Sequence, residues 1–156
     1  TQAFLTADEV SFVEETVPLT AFLDDDQVNI PQIRANKEEW IIKPTDHYGA
    51  DNVYAGCFVS QKEWEDLVDR FANGRAGYPF VVQRYIRPYQ TATLPPDAGI
   101  ENMADSDVRN EPQEYNNLNG LYLYDGEFTG VFSRLGPLPT ISKDMQGITA
   151  ATIWVD

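Results

Sequence analysis

Two apolar, aromatic-rich runs, Leu121-Tyr122-Leu123-Tyr124 and Phe128-Thr129-Gly130-Val131-Phe132, are separated only by Asp125-Gly126. Asp-Gly between such runs is the strongest short-range hairpin signal, because both residues tolerate the left-handed backbone that a two-residue turn requires. The chain is therefore expected to build antiparallel sheet. Other runs agree. Trp40-Ile41-Ile42-Lys43 reads as a buried strand stopped by Pro44, and Val53 to Val59 reads as the next strand. Phe80 to Ile86 is a third strand, limited by Pro88, and Ile148 to Val155 is a last one.

Helices punctuate these strands. Thr6-Ala7-Asp8-Glu9 has the spacing of a capping box and predicts a short helix through about Glu15, broken by Pro18. Ser60-Gln61-Lys62-Glu63 is a second box. Behind it Trp64, Leu67, Val68 and Phe71 repeat at helical spacing, and Asn73-Gly74 supplies the stop. Asp24-Asp25-Asp26 reads as a solvated turn, and Asp46 to Asn52 as a polar loop around Gly49. Pro95 to Asn117 reads as a long acidic loop. The expected fold class is α+β: one domain over residues 1–156, a mostly antiparallel sheet with covering helices.

Charge and composition narrow the function. Lys plus Arg number 11 and Asp plus Glu 25, giving a net charge of −14. That balance disfavours nucleic acid and anionic membrane surfaces as partners, since both demand cations. One cysteine and one histidine exclude an internal disulfide, a thiolate cluster and any two-histidine metal site within one chain. Cys57 sits in an apolar run and reads as a small buried hydrophobe, not as the partner of His47. No apolar stretch is long enough for a membrane span and no leader is visible, so the expected location is cytoplasmic. The chain opens at Thr1 without methionine, which suits a fragment of a longer protein.

Four segments, in order, resemble the C-terminal portion of circularly permuted ATP-grasp enzymes of the glutathionylspermidine-synthase-like kind. They are Val17-Pro18-Leu19-Thr20, Trp40-Ile41-Ile42-Lys43-Pro44 with the loop Asp46 to Asp51, Phe80 to Ile86, and Gly130-Val131-Phe132-Ser133-Arg134. The resemblance spans most of the chain from about residue 16. It implies an ATP-dependent carboxylate–amine ligase acting through an acyl phosphate, with this chain as its nucleotide-binding half. Lys43 would then neutralise an α- or β-phosphate, and the Gly49–Ala50 loop would close over phosphates with its backbone N–H groups. Main-chain groups at Arg84 and Ile86, with the Gln83 amide, would read adenine, and Arg134 would hold a phosphate or carboxylate. The implied partners are ATP and the small carboxylate and amine substrates of the parent protein. Mg²⁺ would be held by ligands in the portion that precedes this region. Asp24 to Asp26 and Asp105, Asp107 and Glu111 read as solvated charge, so no metal is expected on this chain alone. The alternative is a non-enzymatic acidic module that keeps an ATP-grasp-like sheet and binds a partner through its −14 surface.

Overall fold

The computed structural model describes residues 4–47, 49–74, 76–94, 111–142 and 146–152. It is an α+β structure in two compact units, Thr1–Ile86 and Arg87–Asp156, each with its own antiparallel four-stranded sheet. The sequence reading places all strands in one sheet; the structure divides them between two.

The first unit begins with α1 (Ala7–Thr16), nucleated as its capping box predicts. Thr6 Oγ1 accepts from the Glu9 N–H at 3.3 Å, and the Glu9 carboxylate accepts from the Thr6 N–H at 2.8 Å. The backbone bond from Thr6, then the bond from its hydroxyl, holds the Glu9 carboxyl below its ordinary 4.5. No residue of α1 is buried. After Pro18 comes β1 (Thr20–Phe22), and then α2 (Ile30–Ala35), opened by the Asn29 side chain and Pro31. Strand β2 (Trp40–Pro44) follows a 3₁₀ turn over Lys37–Glu39, and β3 (Tyr54–Ala55) follows the polar loop. Helix α3 (Gln61–Ala72) and strand β4 (Phe80–Arg84) complete the unit. Ser60 caps α3 by accepting from the Glu63 N–H at 3.2 Å, and Gly74, at φ 64°, ends its C-terminal turn.

Strand order is β1-β4-β2-β3, so β4 is paired on both sides. Alternation along the strands separates two faces. Trp40 and Ile42 of β2 and Phe80 and Val82 of β4 are buried, and α3 covers them with Trp64, Val68 and Phe71. Leu67 is half-buried against the same cluster. Phe71 and Phe80 stack with ring centres 3.7 Å apart. The buried indole N–H of Trp64 donates to the Ile33 carbonyl at 2.9 Å, which ties α3 to α2 and satisfies the one polar atom the core helix carries inward.

The strand expected over Val53 to Val59 is shorter than its composition suggests. Pairing ends at Ala55, and Gly56–Phe58 form a 3₁₀ turn. The chain turns because Gly56 lies directly against the Lys37 carbonyl, where a Cβ would fall 2.1 Å from the oxygen. Lys37 Nζ also donates to the Gly56 carbonyl at 2.9 Å. Cys57 is accordingly half-buried in that turn, not sealed in a strand. The third expected strand likewise stops at Arg84, short of Ile86.

The second unit contains β5 (Gln90–Thr93), β6 (Gln113–Tyr124), β7 (Glu127–Gly136) and β8 (Ile148–Ala150), paired in that order. The hairpin is as expected: Asp125 (φ 49°) and Gly126 (φ 80°) form its two-residue left-handed turn. The expected acidic loop is shortened at its end, because Gln113 to Asn117 belong to β6 and pair with β5 and β7. Residues 95–110 of that loop, and 153–155 of the expected last strand, lie outside the described residues, and among those described that strand ends at Ala150. Asn116 is buried with both ends of its amide used: it donates to the Leu138 carbonyl at 3.0 Å and accepts from Gln90 at 3.1 Å. Among the described residues no helix is long and apolar enough to cross a membrane.

The Gly56 contact yields a direct test of the first unit. Gly56→Ala drives a Cβ into backbone that has no rotamer to yield, and is expected to cost about 3 kcal/mol. Urea unfolding of the variant should show a lower midpoint at unchanged slope; an unchanged midpoint would contradict the packing described.

Candidate functional site

The face of the first sheet opposite α3 is set by strand register. Thr20 stands across from Gln83 and Phe22 across from Val81 on one side of β4. On its other side Ile41 faces Gln83 and Lys43 faces Val81. Because side chains alternate, Thr20, Phe22, Ile41, Lys43, Val81 and Gln83 share this face, while their neighbours point into the core. Ile41, Val81, Lys43 and Gln83 are half-buried, and Phe22 is exposed.

Two candidate residues separated widely in sequence meet here. Lys43 Nζ donates to Gln83 Oε1 at 2.7 Å. Gln83 Nε2 donates in turn to Thr20 Oγ1, also at 2.7 Å. An ammonium thus stands on a small, largely apolar patch, hydrogen-bonded to a neutral acceptor and not to a carboxylate. Among the ion pairs of the described residues, none involves Lys43. The arrangement suits recognition of an anion beside a flat apolar group.

The remaining candidates are placed differently. Gly49 and Ala50 lie in the loop between β2 and β3; Gly49 is left-handed at φ 72° with open space around it, and the Ala50 carbonyl accepts from the Val53 N–H at 3.4 Å. The Arg84 side chain belongs to the other face, where it pairs with Glu39 at 2.6 Å and lies over the Trp40 ring. Its backbone N–H is also committed, donating to the Leu19 carbonyl at 2.8 Å. Ile86 follows the end of β4 and is exposed. Arg134 belongs to the second unit, exposed on β7 opposite Leu118 and Thr149, with its guanidinium over the Phe132 ring. His47 stacks on Tyr78 at 4.5 Å and stands 3.5 Å from the Asp51 carboxylate, which accounts for it without Cys57.

Thr20 is the residue that sequence reasoning passed over. Its signal is present in the Pro18-Leu19-Thr20 segment, but its role depends on a pairing with β4 that spans most of the unit. A cavity of about 320 Å³ opens elsewhere in the first unit, against Ala21, Trp40 and Val82. None of the candidate residues lines it. Among the described residues no three His, Cys, Asp or Glu side chains gather as a metal-ligand set. The chain matches no family model, no curated protein and no solved structure in comparisons with known proteins.

If Lys43 and Gln83 serve a ligand and not the fold, removing them should spare stability. Lys43→Met and Gln83→Leu are each expected to change unfolding free energy by less than about 1 kcal/mol, against about 3 kcal/mol for Val82→Ala on the opposite face. Urea denaturation distinguishes the two; a loss above about 2 kcal/mol in Lys43→Met would make the pair a structural element.

Proposed function

We propose that this chain is the nucleotide-gripping portion of an ATP-dependent carboxylate–amine ligase. One observation carries the reading: Lys43 and Gln83, picked out by their motifs, stand 2.7 Å apart on the sheet face away from the core. In the parent reaction a carboxylate oxygen attacks the γ-phosphorus of ATP and ADP leaves. A neutral amine nitrogen then attacks the acyl phosphate carbon, phosphate departs with the C–O electron pair, and the nitrogen gives up one proton to solvent or to the departing phosphate, leaving an amide. This chain's task in that sequence is to hold ATP.

Each residue has a physical reason for its part. Lys43 meets an α- or β-phosphate as a point charge, with its head already set by Gln83. Ile41 and Val81 flank the pair and provide apolar surface for a purine ring. The loop after β2 offers backbone N–H groups to phosphate, with Gly49 free of the steric bar to the left-handed conformation found in anion nests. Because the Arg84 N–H already serves Leu19, the main-chain contact with the adenine edge passes to Ile86. Arg84's side chain, committed to Glu39 and Trp40, takes no part. Arg134 is left out of the reading, which rests on the first unit alone. No step is assigned to Mg²⁺ here, since the resemblance places its ligands in the portion that precedes this region.

ATP carries about four negative charges toward a chain of net charge −14, and among the described strand residues that share this sheet face Lys43 is the one cation. Affinity should therefore be weak, with Kd on the order of 0.1 mM or poorer. Calorimetric titration of ATP is expected to show about tenfold weaker binding by Lys43→Ala, with GTP bound less well than ATP by the wild type. Equal binding by the two proteins, or a preference for GTP, would remove the assigned roles.

A further inference from the structure

We infer that Thr20 is the positioning residue of this site, fixing the place of the Lys43 ammonium through the Gln83 amide. Three strands contribute one side chain each: Thr20 from β1, Gln83 from β4 and Lys43 from β2. The Thr20 hydroxyl donates its single proton to the Pro18 carbonyl at 2.9 Å. Its oxygen is left only as an acceptor for Gln83, whose Nε2 stands 2.7 Å away. That turns Gln83 Oε1 toward Lys43 Nζ, at 2.7 Å.

The other end of the relay imposes the same orientation. An ammonium has three donors and no acceptor, so a flipped amide would set Nε2 against Nζ, donor facing donor. The O and N of a glutamine amide are ordinarily interchangeable in shape, and here the chemistry at both ends chooses one assignment. Every donor points the same way along the chain, from Lys43 through Gln83 and Thr20 to the Pro18 carbonyl. The terminal acceptor belongs to a proline, whose ring fixes φ, so the relay is anchored on stiff backbone. A lysine head at the end of four rotatable bonds otherwise samples many positions. The relay gives it one, and a phosphate arriving at this face meets a cation already in place. That last consequence rests on the nucleotide reading; the relay itself does not.

Two substitutions and two measurements separate these claims. Thr20→Val keeps the shape and the strand preference of threonine and removes the hydroxyl, whereas Thr20→Ser keeps the hydroxyl. Without nucleotide, ¹⁵N NMR follows solvent exchange of the Lys43 ammonium and Gln83 amide hydrogens. Exchange at both should be about threefold or more faster in Thr20→Val and near wild type in Thr20→Ser, with the exposed Lys62 as an unchanged internal reference. Unchanged exchange in Thr20→Val would overturn the relay. ATP titration then reads the positioning role: Thr20→Val should bind about three- to tenfold more weakly, and Thr20→Ser as the wild type does. Wild-type affinity in Thr20→Val would overturn that role. Failure of the wild type itself to bind ATP would remove the nucleotide reading, leaving the relay to be decided by exchange.

Discussion

Strand β4 is hydrogen-bonded along both edges, to β1 and to β2, and the first unit is organised around that double pairing. Pairing on both sides leaves the strand one freedom, which face each side chain takes, and a one-residue slip would invert every choice. Phe80 and Val82 must therefore enter the core cluster together, with Phe80 stacked on Phe71, and Val81 and Gln83 must together be kept out of it. The burial that stabilises the helical side is thus the same constraint that presents Gln83 beside Lys43 and Thr20. Core and candidate site are two faces of one register.

The pairing also explains why the site's polar groups are neutral apart from one cation. Half-buried carboxylates beside Lys43 would hold the ammonium more strongly than an amide does, but they would compete with any phosphate for it. Gln83 orients without neutralising. Glu39 and Arg84 instead satisfy each other on the opposite face, over the edge of Trp40, where both side chains remain nearly half exposed and their pairing adds little to stability.

Legibility in the sequence followed the range of the interaction responsible. Signals written within a few residues were sound: the Thr6 and Ser60 caps, the Trp64-Val68-Phe71 stripe, the Asp125-Gly126 turn and the strand from Trp40 all stand where local rules put them, although that strand runs through Pro44, opposite Phe80, where it was expected to stop at Lys43. Elements that depend on distant partners were not legible. Thr20–Phe22 is too short to show a period and is a strand because β4 lies beside it. Ile30–Ala35 carried its Asn29 and Pro31 start signals, but six residues give no helical repeat to read. The apolar run after Val53 promised a long strand, yet Gly56 meets the Lys37 carbonyl and turns away. The candidate site divides in the same way. Lys43 and Gln83 were picked out only through the resemblance of their motifs, whereas the commitment of Arg84 to Glu39 and the bond from Gln83 to Thr20 exist only once the strands are paired.

The central claim is that the face opposite α3 receives a nucleotide, and backbone ¹⁵N–¹H NMR during an ATP titration tests it most directly. The account predicts that shifts concentrate on Thr20, Phe22, Ile41, Lys43, Val81 and Gln83, with the loop between β2 and β3 following, while Glu63, Asp66 and Arg70 on the outer side of α3 stay still. Shifts centred on α3, or spectra unchanged at about ten millimolar ATP, well above the expected affinity range, would contradict it.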